Sequence, residues 1–133
     1  MATQLPLPPK RKDKNTSAGE LISTLLLAAA QVHVLHLTTT SFAKHKALNE
    51  LYDALPGLAD GIAESMQQDE ILDGYNQSIS LSATLDPVTY VTELRNYVTS
   101  IRQKVSTESY VQNQIDSVVE ILNSTLYKLK KLS

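Results

Sequence analysis

The chain has 133 residues, enough for one domain built round a single core. It contains no cysteine, which excludes a disulfide framework, a thiolate nucleophile and any Cys-based zinc or iron–sulfur site; histidine and carboxylate oxygen remain as metal ligands. A net charge of −2 argues against polyanion binding by bulk charge, so any nucleic-acid contact must be local.

Residues 1–17 carry three of the five prolines together with Lys10, Arg11, Lys12 and Lys14, and show no apolar periodicity. Such a segment buries too little surface to fold alone and reads as a basic, Pro-rich arm. Its four cations suit DNA phosphates or an acidic partner surface, and equally a solubilising tail. Residues 18–133 form the folded domain.

Thr16 or Ser17 can cap a first helix, with Glu20 three residues after Ser17 completing a capping box, and Leu21, Leu25, Ala28, Val32 and Leu35 then recur at helical spacing. The longest apolar run, Leu21 to Leu37, is broken by Ser, Thr, Gln and two His. It reads as too short and too polar for a membrane span and lacks a signal-cleavage site, so a soluble intracellular protein is expected.

The hydroxyl-rich TTTS at 38–41 favours a break and a cap, and a second helix is expected from about Ser41 to Met66 or Gln68, with Ala47, Leu51, Leu55, Leu58 and Ile62 inward. Pro56 inside it lacks a backbone donor, and Gly57 adds freedom, so a kink or short break is expected there. Residues 69–86 turn polar and read as a long crossover with one short helical turn near Glu70 to Tyr75.

Asp86–Pro87 is a cap and first-turn pair for a third helix, striped by Val91, Leu94, Val98, Ile101 and Val105. A fourth opens near Ser106 to Ser109 and carries Ile115, Val118, Leu122, Leu126 and Leu129; Lys128, Lys130 and Lys131 near its end suit the negative pole of the helix. Two short hairpins and one long connection predict an all-α, ferritin-like four-helix bundle with the long crossover between helices 2 and 3.

All three histidines fall between residues 33 and 45, and carboxylates follow on the second helix. His36, His45, Asp60 and Glu64, with Asn49 and Asp53 as further candidates, make a mixed N/O donor set suited to Fe(II), with Zn(II) or Mn(II) as alternatives. The plainer reading is a wet helix face lined by polar pairs one turn apart. His45 and Asp60 are fifteen residues apart, about 22 Å along one helix. One subunit therefore cannot use both on one ion, unless the helix folds back at Pro56. The ligands form separate sites, or a two-fold partner supplies Asp60 and Glu64. His33 points about 60° away from His36 on a helical wheel and reads as a packed or exposed histidine.

The order His36, then Phe42 to His45, then Asp60 and Glu64 within LADGIAES resembles the Dps-like branch of the ferritin superfamily. The SFAKHKAL wording is similar to the Dps-like proteins encoded by tailed bacteriophages. Asn49 stands where that family has Asp, and Leu37 where it has Trp. The resemblance implies a homo-oligomer with two-fold interfaces, assembling into a shell. His36 and His45 of one subunit and Asp60 and Glu64 of its partner would bind and oxidise Fe(II) with peroxide or oxygen. It also implies a cytoplasmic protein, or one of the host cytoplasm or virion if phage-encoded, whose arm docks on DNA. The rival expectation is a phage structural or interaction protein that keeps the bundle and has a degenerate site, so enzymatic activity is left open.

Overall fold

A computed structural model describes residues 15–132. The arm cations Lys10, Arg11, Lys12 and Lys14 lie outside the described residues. Four helices account for most of the rest: α1 (Ser17–Thr38), α2 (Phe42–Met66), α3 (Pro87–Val105) and α4 (Ser109–Lys131). Among the described residues there is no strand, and the fold is an all-α four-helix bundle.

The apolar stripes read from the sequence form the core. Leu21, Leu25, Val32 and Leu35 of α1 meet Leu48, Leu51, Leu55 and Ile62 of α2, Val91 and Val98 of α3, and Ile115, Val118 and Leu122 of α4, all buried. Each helix packs closely on two neighbours: α1 and α4 both lie against α2 and α3, and the pairs α1/α4 and α2/α3 sit diagonally across the core without a close backbone approach. With several such residues fully enclosed, truncating one of them, such as Leu51, to alanine costs about 2–5 kcal/mol.

Helix ends follow the side chains available. Ser41 caps α2 by accepting from Lys44 N at 3.2 Å, and Asp86 caps α3 by accepting from Thr89 N at 2.9 Å. The Thr89 amide and hydroxyl hold the Asp86 carboxyl below its ordinary range. The capping box expected at Ser17 does not form: Ser17 is already helical, Thr16 occupies the cap position without a side-chain bond, and the Glu20 carboxylate instead accepts the Tyr97 hydroxyl at 2.7 Å. Burial, together with that carboxylate, raises Tyr97 above the usual phenol range.

Two further expectations are corrected in part or whole. The short break allowed for at Pro56 does not occur: α2 is continuous through it, with Leu55 and Ala59 on either side fully buried against the core. No helical turn forms near Glu70 to Tyr75; Gly74 there has φ +101°, a left-handed conformation that ends any helical path.

The connection between α2 and α3 is long and lies along α1. It passes the start of α1, where a Cβ on Gly19 would collide with the carbonyl of Asp73. It then runs beside Thr24 and Ala28 and reaches Leu35 and Thr38 at the far end through Ala83 to Leu85. Gln31, fully buried in the middle of α1, clamps it by donating to Ser82 O at 2.7 Å and accepting from Ser82 N at 2.9 Å. Because the connection spans the bundle, α3 starts at the end where α2 starts; α2 and α3 run one way and α1 and α4 the other.

By length and composition α1 is apolar enough to cross a membrane, against the expectation that its run is too short and too polar. Here it is a core helix with eleven buried residues. That pattern and a span share the same composition, because a central bundle helix is enclosed by other apolar surfaces.

Candidate functional site

α1 ends and α2 begins at a three-residue turn, residues 39–41, which brings His36 and His45 side by side. Their rings stack with centroids 3.6 Å apart and 23° between planes. His36 Nδ1 donates to the carbonyl of His45 at 2.8 Å, and His45 Nδ1 donates to the carbonyl of His36 at 2.9 Å. A carbonyl only accepts, so both Nδ1 atoms carry the proton. In the neutral form Nε2 of each ring is then an unprotonated donor atom.

The same bonds serve the helix ends. α1 stops at Thr38, so the carbonyl of His36 belongs to the last turn and lacks an intrahelical N–H. His45 supplies one. His36 is buried and His45 half-buried.

Tyr52 extends the cluster, two turns after His45 on the same face of α2. It stacks on His33 at 4.0 Å with planes 7° apart and meets His36 edge-on at 5.1 Å. Its hydroxyl donates to Asn49 Oδ1 at 2.6 Å, and Asn49 Nδ2 donates to Asp53 Oδ2 at 3.2 Å. His33, exposed on α1, is thus a stacking partner of this cluster.

Of the expected ligands, His36, His45, Asn49 and Asp53 gather at one end of the bundle. Asp60 and Glu64 are exposed on the far half of α2. Among the described residues no three or more His, Asp or Glu side chains come close enough together to hold an ion. The described residues of one chain therefore offer two imidazole nitrogens without a carboxylate grouped beside them.

Residues 36–129 match a family described as a family of unknown function (DUF5856). The chain belongs to this family. No curated protein and no solved structure matches it. The matched span starts at His36, so it includes His45, Asn49, Tyr52, Asp53, Asp60 and Glu64, and leaves out most of α1 and the arm.

Sequence reasoning missed Tyr52 as a member of the cluster. Its i+7 spacing from His45 was a readable signal for α2, but the stack on His33 depends on how α1 packs across the hairpin.

Proposed function

We propose that the protein is a ferritin-like, Dps-like iron-binding protein that oxidises and sequesters Fe(II) at a site shared by two copies of the chain. One observation carries the reading: the crossed His36–His45 hydrogen bonds, which set both rings in the tautomer a metal ion needs. A histidine ligand is commonly oriented by a second bond from its other ring nitrogen to a carbonyl, and here both rings have one. The direction of the helices, with the long connection lying along α1, is compatible with the ferritin-like bundle named in this reading.

Two imidazoles alone do not hold Fe(II) strongly, and the donor set needs carboxylates. Asp60 and Glu64, one turn apart and exposed, supply them from a second copy packed antiparallel. Fe(II) is the substrate: each ion gives up one electron to oxygen or peroxide, and the side chains bind and orient it. The basic residues Lys10, Arg11, Lys12 and Lys14 attach the assembly to DNA.

The test is anaerobic addition of Fe(II) followed by air. The reading requires ferric absorption to rise faster than in buffer, with the gain lost in His45→Ala; equal rates with and without protein sink it. DNA binding, in turn, must weaken steeply with salt, with a log–log slope of roughly −3 to −4 for four phosphate contacts, and must disappear when residues 1–14 are removed.

A second reading has an observation of its own. Asn49 is engaged by both Tyr52 and Asp53, so the polar atoms nearest the histidines are already bonded to each other. In that reading the bundle is a phage structural or interaction module, and the histidine pair is a staple between α1 and α2. Unaccelerated iron oxidation together with a large loss of stability in His45→Ala would favour it.

A further inference from the structure

At the end of the bundle opposite the histidines, α2 stops, α3 stops and α4 begins, and a cleft of about 500 Å³ opens between them. Its apolar surface comes from Met66, Val111 and Tyr110, the last 52% exposed. Its rim carries Asp69, Glu70 and Glu108, and among the described residues no lysine or arginine lines it. Glu108 sits at the cap position of α4, and its side chain makes no capping bond to that helix. α2 ends here with no basic residue in its last turn, which leaves the negative pole of that helix uncompensated by its own side chains.

The described chain begins at this same place. Asn15 Nδ2 donates to the carbonyls of Lys104 and Val105, at 2.6 and 3.2 Å, and Ser106, the next residue on, lines the cleft. The residues just before Asn15 are Lys10, Arg11, Lys12, Asp13 and Lys14. Five residues span at most roughly 18 Å, so the basic run stays within that reach of Asn15.

We propose that the cleft is the docking site for the chain's own basic segment, residues 10–14. Two things fit the occupant to the site. Its charge is opposite to that of the rim, and long Lys and Arg stems can lie along Met66, Val111 and Tyr110 while their heads reach the carboxylates. The tether raises the local concentration of the segment at the cleft, so weak exposed pairs suffice to hold it. This inference is independent of the iron site, since it uses none of the residues at the histidine end, but it engages the same cations as the proposed DNA contact, so DNA has to displace the segment from the cleft.

The test is amide relaxation on the full-length, isotopically labelled chain at low salt. The amides of Lys10, Arg11 and Lys12 are expected to be ordered, with order parameters close to the ~0.85 of rigid backbone, and to fall below ~0.6 in Asp69→Asn/Glu108→Gln. High salt is expected to have the same effect. As a reciprocal check, reversing the arm with Lys10→Glu, Arg11→Glu and Lys12→Glu must shift the amide signals of Asp69, Glu108 and Tyr110 and leave those of Ser41 to Lys46 in place. Free-chain mobility at residues 10–12 in the unaltered protein overturns the proposal. So does order that survives neutralising the cleft. Order that is lost on dilution also overturns it, and assigns the segment to a second copy.

Discussion

His36 and His45 hold each other by the backbone: each ring donates to the other's main-chain carbonyl, at 2.8 and 2.9 Å, across the turn that joins α1 to α2. The pair closes the hairpin and finishes the last turn of α1. Any role as metal ligands is added to that structural one.

Removing either ring should therefore destabilise the protein even without metal. His36→Ala and His45→Ala are each expected to cost about 1–3 kcal/mol: His45→Ala leaves the His36 carbonyl at the end of α1 without a donor, His36→Ala removes the second donor of the His45 carbonyl, and both open the stack. The double variant should cost less than the sum, because both changes break one unit. Urea denaturation of the four proteins in the cycle measures this; strict additivity would mean that the two bonds act separately.

If iron oxidation is shared between copies, two inactive variants should rescue each other. His45→Ala lacks the imidazole half and Asp60→Asn/Glu64→Gln the carboxylate half. Mixed after dissociation and reassembly, they form pairs in which one site is intact. Recovery of a substantial fraction of the oxidation rate is expected, whereas a site within one chain gives none.

Gln31 is a fully buried amide whose two ends are both satisfied by Ser82. Gln31→Leu leaves the Ser82 N–H and C=O without those partners, and a loss of about 1–3 kcal/mol is expected. Hydrogen exchange should localise it, with the Ser82 amide losing protection well before the amides of α4.

Asp86 caps α3, and its bonds to Thr89 hold its carboxyl below the ordinary range. A depressed folded value means that the contribution is complete above the unfolded carboxyl pKa of about 3.9 and is lost as pH falls through the folded value. Asp86→Asn, which keeps a capping oxygen but cannot ionise, should flatten that acid limb. Asp86→Ala should cost about 1 kcal/mol at neutral pH. Thermal melts from pH 7 to pH 2 follow both.

The four helices were legible because each buries one stripe at 3.6-residue spacing, and their starts at Ser41 and Asp86 carry residues whose side chains cap without outside help. The failures occur where another segment intervenes. Ser17 did not act as a cap because the connection crosses the start of α1 at Gly19 and Tyr97 claims Glu20. The helical turn expected near Tyr75 was lost to an extended path along α1. At the candidate site, the sequence placed His36 and His45 at the two sides of a turn. It could not show that they would cap each other, that Tyr52 would reach across to His33, or that a buried glutamine would fix the connection.

Periodicity and capping are properties of neighbours in the chain, so the amino-acid sequence by itself determined the helices and their inward faces, and set His45 about 22 Å from Asp60 along any unbroken α2; that α2 is unbroken at Pro56 came from the structure. The crossed histidine bonds, the Gln31 clamp and the cleft beside Asn15 unite residues nine, fifty-one and some ninety positions apart. Only the packing of α1 against α2, α3 and the connection decided those, because directional bonds between distant residues exist only once the helices have fixed positions relative to one another.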